Sequence, residues 1–369
     1  MQGDFVEMKE RKKEQIKRME KEAMEQMLHY HERSKGQALK NLIKKAAGRY
    51  VPPKDFIFWP TGLIANVLAD NYERWENKDE VLEVLCVYFD RWIDKGMPLY
   101  CMDDVLCGMA LIDLYKLTGK ERYKKASYKM AEYIYDLEDK ASDKAGTLPY
   151  RYAQRNGHVY VDAIGMLCPF LCRFGVEFDD IRALRLAVLQ INNMLKYGMD
   201  DNLFLPYHGF EYESKVKYGI IGWGRAVGWL LLGMAGTLRF LPAEYEGWEE
   251  LSAAFNKLIL CVAAYQKENG AFAWQLEAVE GPEDSSATAM IAQAVLIGIK
   301  HGIMDNKTHT GECEILVKKA AEYLSGCEKD GRIYNASGEC MGFSQYPQVY
   351  GSYPWAQAPG LFVLSEEIQ

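Results

Sequence analysis

Four places along the chain set reactive side chains where such side chains are uncommon. Asp162 stands between Tyr160-Val161 and the run Ala163-Ile164-Gly165-Met166-Leu167-Cys168-Pro169. Asp103-Asp104 lies between Cys101-Met102 and Val105-Leu106. Arg225 sits in Trp223-Gly224-Arg225-Ala226-Val227-Gly228-Trp229, and His208 in Pro206-Tyr207-His208-Gly209. An ionised carboxylate is costly to bury without partners, so each Asp needs an explanation. A structural one is capping, since Asp ahead of an apolar-periodic run satisfies free backbone donors of a helix. It fits Asp162 taken alone, and at least one of Asp103 and Asp104. The chemical one is acid/base work: two carboxylates at one site part in proton affinity, so one keeps its proton near neutrality while the other stays charged.

Asp162 and Asp103 are the acid/base candidates. Arg225 and Trp229 are four residues apart and share a helix face. There a guanidinium can hold a carboxylate and an indole can pack on a sugar ring, or the Arg can be salt-bridged across the barrel while Trp229 packs in the core. His208 can meet a substrate hydroxyl or tie its loop to a backbone carbonyl. Ser285-Ser286 shows no adjacent base and is expected to cap a helix. His29, His31, His158, His301 and His309 form no metal-ligand spacing, and Asp103-Asp104 lacks the further acids of a magnesium–diphosphate site, so neither metal nor cofactor is expected. Phosphate-cradling and nucleophile-elbow motifs are absent.

These residues fall at recurring positions. After a charged stretch read as helix over Met8 to Lys45 and stopped by Val51-Pro52-Pro53-Lys54, a unit repeats: polar or aromatic loop, small-residue apolar helix, turn, charged amphipathic helix. Starts fall near Trp59, Cys101, Tyr160, Trp223, Ser285 and Tyr350. The first helix of each unit is apolar all round and expected inside; the second, as in Arg122 to Tyr135, faces water. This predicts an all-α, single-domain (α/α)6 barrel over 51–369, with residues 1–50 packing on it as the missing outer helix. Gly157-His158-Val159-Tyr160 and Gly270-Ala271-Phe272-Ala273-Trp274 are expected as short strands in loops. In such a ring the inner helices begin on one rim, so residues far apart in sequence converge on one mouth.

A net charge of −8 argues against nucleic acid. No apolar run reaches membrane-spanning length, and no secretory signal follows Met1. Nine scattered cysteines fit free thiols in a reducing cytoplasm. Aromatic content of 12% suits a sugar site, and equally a large helical core. Nothing sets an oligomeric state.

Tyr160-Val161-Asp162 with Gly165-Met166 and Pro169-Phe170, followed by Trp223-Gly224-Arg225-Ala226-Val227-Gly228-Trp229, resembles the two signature segments of glycoside hydrolase family 105. Members are unsaturated rhamnogalacturonyl hydrolases, related to the unsaturated glucuronyl hydrolases of family 88. Met102-Asp103-Asp104-Val105 with Gly108, Leu205-Pro206-Tyr207-His208-Gly209 and Ser286-Ala287-Thr288-Ala289-Met290 extend the match from about Trp59 to the C-terminus. The resemblance implies a six-hairpin barrel and a metal-free reaction on a small unsaturated oligosaccharide of rhamnogalacturonan or pectin type. The residue matching Asp162 protonates C4 of a C4=C5-unsaturated uronic acid and activates the water that adds at C5. The hemiketal then opens and releases the neighbouring sugar. By the same matching Asp103 balances charge and positions the uronate, while Tyr160, Arg225, Trp229, His208, Trp223 and Arg151 line the subsite. Tyr160 stands where members often carry Trp.

Two other classes compete. A sugar epimerase or isomerase on the same toroid would rest on paired histidines, of which only His208 is expected at the mouth. A non-catalytic carbohydrate-binding helical protein would use its aspartates only as caps.

Overall fold

The computed structural model describes residues 2–30, 39, 42–43, 46–48, 57–150, 157–304 and 307–366. The N-terminal helix, α1, runs Gln2–His29. It begins earlier than Met8, and most of the expected stretch from 31 to 45, with Val51 to Lys54, lies outside the described residues. Hairpins then follow in chain order. Trp59–Asp70 (α2) pairs with Lys78–Ile93 (α3), Gly108–Thr118 (α4) with Glu121–Ala141 (α5), and Asp162–Glu177 (α6) with Ile181–Tyr197 (α7). Gly224–Leu238 (α8) pairs with Trp248–Ala263 (α9), Ser285–Lys300 (α10) with Lys307–Cys327 (α11), and Pro354–Glu366 (α12) closes the ring. These are the two concentric rings of an (α/α)6 barrel.

Burial follows residue type. Every residue of α8 is buried, as its apolar and small side chains require. In α5 only one stripe is buried, through Tyr123, Ala126, Met130, Ile134 and Leu137, while its Lys and Glu face water. Gly119 ends α4 at φ 65°, a left-handed cap, and the Asp180 side chain caps α7 by accepting Ala183 N–H at 3.0 Å.

Inner helices α6 and α8 meet almost backbone to backbone. A Cβ on Gly165 would lie 2.5 Å from the Trp229 ring, and one on Gly233 would lie 2.7 Å from the Ile164 backbone. That contact fixes Trp229 against the helix that begins at Asp162. Toward the C-terminal ends of the inner helices, Asp70 takes a two-pronged bond from Arg239 at 2.7 Å, and Arg173 grips Asp113 the same way. These pairs pin the ring at the end away from the helix starts.

Between the hairpins lie short strands. His158–Tyr160 (β1), Gly209–Glu211 (β2) and Lys217–Tyr218 (β3) form an antiparallel sheet in that order, with Tyr160 opposite Gly209. Glu328–Lys329 (β4) pairs with Arg332–Ile333 (β5), and Ala336–Ser337 (β6) with Tyr350–Gly351 (β7). The strand expected at Gly270 to Trp274 is reduced to an isolated bridge, Ala273 to Glu283.

α1 packs against α12, α2 and α3 through Met19, Ala23, Met24 and Met27. We propose that it serves as the sixth outer helix. Glu20 is carried into this contact, where burial first, then the charges of Glu80 and Glu76, raise its carboxyl to about 7. Because the folded value exceeds the unfolded one, stability falls as pH rises from about 4.5 through about 7, by roughly 3 kcal/mol at most. Glu20→Gln removes this titration. Thermal melts should show the variant a few degrees more stable than wild type at pH 8 and level with it near pH 4.5.

Candidate active site

A cavity of about 650 Å³ opens where the inner helices begin. Asp103, Tyr160, Asp162, His208, Trp223, Arg225 and Trp229 all line it, although they come from four separate stretches of chain. Arg151 lies outside the described residues. Trp59, Asp104 and Tyr150 also line the cavity; Tyr207, Ser285, Ser286 and Trp355 do not.

Asp162 does not cap its helix. It is the first residue of α6, with Val161 ahead of it, and makes no side-chain bond to that helix start. Its Oδ2 instead lies 3.0 Å from His208 Nε2, with Asp162 9% exposed and His208 fully buried. The β1–β2 ladder brings them together. Tyr160 is registered with Gly209, and Val161 N–H donates to the His208 carbonyl at 3.0 Å, so the histidine arrives beside the aspartate. The expected tie of His208 to a backbone carbonyl through its ring is replaced by this carboxylate. On the other ring nitrogen, Nδ1 is 2.8 Å from the Tyr346 hydroxyl.

Asp104 does cap. Its Oδ2 accepts Tyr100 N–H at 2.8 Å and Cys101 N–H at 3.3 Å, ahead of the 3-10 turn Met102–Cys107. Asp103, beside it, is 1% exposed and on the cavity wall.

Arg225 is not ion-paired across the ring. Nη1 donates to the Ser337 carbonyl and hydroxyl, both at 2.6 Å, and Nη2 donates to the Gly338 carbonyl at 2.7 Å. Its guanidinium lies over the Trp223 and Trp355 rings, at 4.7 and 5.5 Å. Behind Ser337 is Asp284, fully buried, whose carboxylate accepts Ser337 Oγ–H at 2.7 Å, Ser337 N–H at 3.1 Å, Ser286 Oγ–H at 2.6 Å and Ser286 N–H at 2.9 Å. Asp284, rather than Ser285 or Ser286, is therefore the cap of α10. Its place directly before the two serines was the available signal. Ser337, 112 residues from Arg225, gave none.

The aromatic wall also differs from expectation. Phe343 stacks on Tyr160 at 4.2 Å, covering one face of that ring. The Trp223 indole nitrogen is buried with no protein partner among the described residues, a donor whose desolvation goes uncompensated until something accepts from it. His158 joins His208 on the cavity wall, so two histidines reach the mouth rather than one. Burial lowers the His158 value, the Glu211 charge opposing, so it is neutral near pH 7. Cys340 also lines the cavity; burial raises its thiol to about 12, helped by the Asp162 charge, so it stays protonated. Among the described residues no group of three or more His, Cys, Asp or Glu is disposed to hold a metal ion, and no helix is long and apolar enough to cross a membrane.

A model of Glycosyl Hydrolase Family 88 matches residues 12–366. The chain belongs to that family. It is a glycoside hydrolase, and the cavity at the helix starts is its candidate active site. Unsaturated rhamnogalacturonyl hydrolase YesR of Bacillus subtilis is 23% identical over 324 residues, covering 84% of this chain and 89% of the relative. A possible member of the GH105 family from Salmonella enterica superposes with a TM-score of 0.76 at 17% identity, covering 96% of this chain and 93% of the other. The unsaturated glucuronyl hydrolase of Bacillus sp. GL1 gives 0.65 at 18% identity, over 86% and 87%. Both structural likenesses bear on the fold: the family-88 chain shares their helical toroid.

The Asp284–Ser337–Arg225 network holds a buried cation in a fixed place on the cavity wall. Removing its carboxylate strands the serine donors and loosens Arg225. Asp284→Ala should cost about 3 kcal/mol in denaturant unfolding, whereas a surface exchange such as Asp201→Ala should stay within about 0.5 kcal/mol.

Proposed function

We propose that this family-88 hydrolase removes the C4=C5-unsaturated uronic acid from the non-reducing end of lyase-generated oligosaccharides of rhamnogalacturonan or pectin type, working in the cytoplasm. The observation that carries the reading is a buried Asp162 held at 3.0 Å by His208 on the wall of a sugar-sized cavity. YesR, named as an unsaturated rhamnogalacturonyl hydrolase, supports the choice of substrate. Nine free cysteines suit a reducing compartment.

The reaction begins with protonated Asp162 giving its proton to C4 of the enol ether. Positive charge develops at C5 and the ring oxygen, next to the carboxylate just formed. Water attacks C5 and returns a proton to Asp162, which is restored. The hemiketal at C5 opens to a ketone, and the hemiacetal left at C1 expels the neighbouring sugar. No external oxidant or reductant is needed.

Asp103 is the second carboxylate, balancing charge and positioning the uronate; Asp104 is occupied by the backbone it caps. Arg225 offers the substrate carboxylate a fixed cation, and Trp223 offers a hydroxyl its indole N–H. Trp229, and Tyr160 on the face that Phe343 leaves open, give the ring apolar contact. The mechanism makes Asp162 indispensable. With unsaturated disaccharides prepared by lyase from rhamnogalacturonan, pectin and glycosaminoglycans, wild type should bleach the ultraviolet absorbance of the conjugated uronate, fastest with the rhamnogalacturonan product. Asp162→Asn should lose about 10²- to 10⁴-fold in kcat while melting like wild type. Undiminished turnover by that variant, or wild type inert toward every disaccharide, contradicts the reading.

A further inference from the structure

Tyr346 lies on the segment between β6 and β7, outside every hairpin of the barrel. Its hydroxyl is 2.8 Å from His208 Nδ1, the ring nitrogen remote from Asp162, and it accepts Ile220 N–H at 3.3 Å. A phenol has one proton to give. With Ile220 donating to the oxygen, that proton is directed to Nδ1. Resting on the acid/base role proposed for Asp162, we propose that Tyr346 is a positioning residue that fixes the tautomer of His208. Its O–H donates to Nδ1, Nε2 carries the ring proton, and Nε2–H donates to Asp162 Oδ2.

The consequence lies at the aspartate. While Nε2 is a donor, Oδ2 is kept as an acceptor and the acidic proton of Asp162 sits on Oδ1, available for C4. In the opposite tautomer Nε2 is an acceptor, and it draws that proton onto Oδ2, between carboxyl and imidazole and away from substrate. The Oδ1–H bond breaks as the C4–H bond forms. The carboxylate left behind is held by the same Nε2–H, and it takes back a proton from the water that forms the C5–O bond. His208 thus keeps one protonation state through the cycle.

The surroundings are built to this contact. Gly219 has φ 83°, and a Cβ there would lie 2.5 Å from His208 Cβ and 2.6 Å from the Tyr346 hydroxyl oxygen. Trp223 and Trp274 set their rings against Tyr346 at 5.3 and 5.9 Å. Burial raises the phenol well above its ordinary value, so it remains a donor. The other titratable or charged groups near the pair are Tyr160 against the imidazole and Cys340, whose thiol feels the charges of both Asp162 and Arg225.

Tyr346→Phe deletes the hydroxyl and keeps the ring. Its kcat on the unsaturated disaccharide should fall about ten- to a hundredfold, with KM within about twofold and the melting temperature unchanged. Selective 15N-histidine labelling, with His208 assigned by its loss in His208→Gln, reads the tautomer directly. Wild type should show Nε2 protonated and Nδ1 bare, and Tyr346→Phe should shift population toward protonated Nδ1. A wild-type ring protonated at Nδ1 or at both nitrogens overturns the proposal, as does a phenylalanine variant with unaltered tautomer and kcat. Wild type inert toward every disaccharide defeats the functional reading, and with it the catalytic use of Tyr346; the ring-nitrogen shifts still decide the tautomer.

Discussion

A buried carboxylate is stable only where something answers its charge or its proton, and here a single imidazole answers Asp162. The rest of the site is arranged around that bond. The start of α6 puts the aspartate on the barrel mouth. The β1–β2 ladder, through its Tyr160–Gly209 pairing, brings His208 alongside from 46 residues away. A slip of one residue in that ladder would turn every side chain to the opposite face, so a three-residue strand carries the geometry of the Asp162–His208 pair. The helical barrel supplies rigidity behind it, with α6 and α8 in backbone contact at Gly165 and Gly233.

A second constraint is the cation. Arg225 is brought into a buried site without a carboxylate bonded to it directly; backbone carbonyls and the Ser337 hydroxyl take its hydrogen bonds, and Asp284 answers its charge through Ser337. Such a network is strong when every member is satisfied and costly when one is lost. It leaves the cavity wall with a positive charge already held in place, so little ordering of that side chain is left to ligand binding.

The fold was legible because burial and hydrophobic period agree along the described hairpins. Small-residue helices alternating with charged ones can only form two rings, and the helix starts near Trp59, Asp103, Asp162 and Arg225 then share a rim. Side-chain roles were less legible. Asp162 and Asp104 both precede apolar runs, yet one turns to His208 and the other to the Tyr100 and Cys101 amides. Sequence spacing does not distinguish them, because the choice depends on which loop lies above. Asp284 is masked by the two serines after it, and His158 reaches the mouth through a strand register that a three-residue run does not show. Ser337 and Tyr346 sit in irregular segments with no period to read. Their importance comes from contacts with residues 53 to 138 positions away.

In the proposed reaction this enzyme protonates a carbon of the substrate's double bond rather than cleaving at the anomeric centre. A carbon-linked analogue of the unsaturated disaccharide, with a methylene in place of the glycosidic oxygen, isolates that step, because it keeps the enol ether and has no glycosidic C–O bond to hydrolyse. Incubated with the enzyme in heavy water, it should lose its ultraviolet absorbance and gain deuterium at C4. An analogue left intact by enzyme that cleaves the oxygen-linked disaccharide would place the chemistry at C1 and rule out protonation at C4.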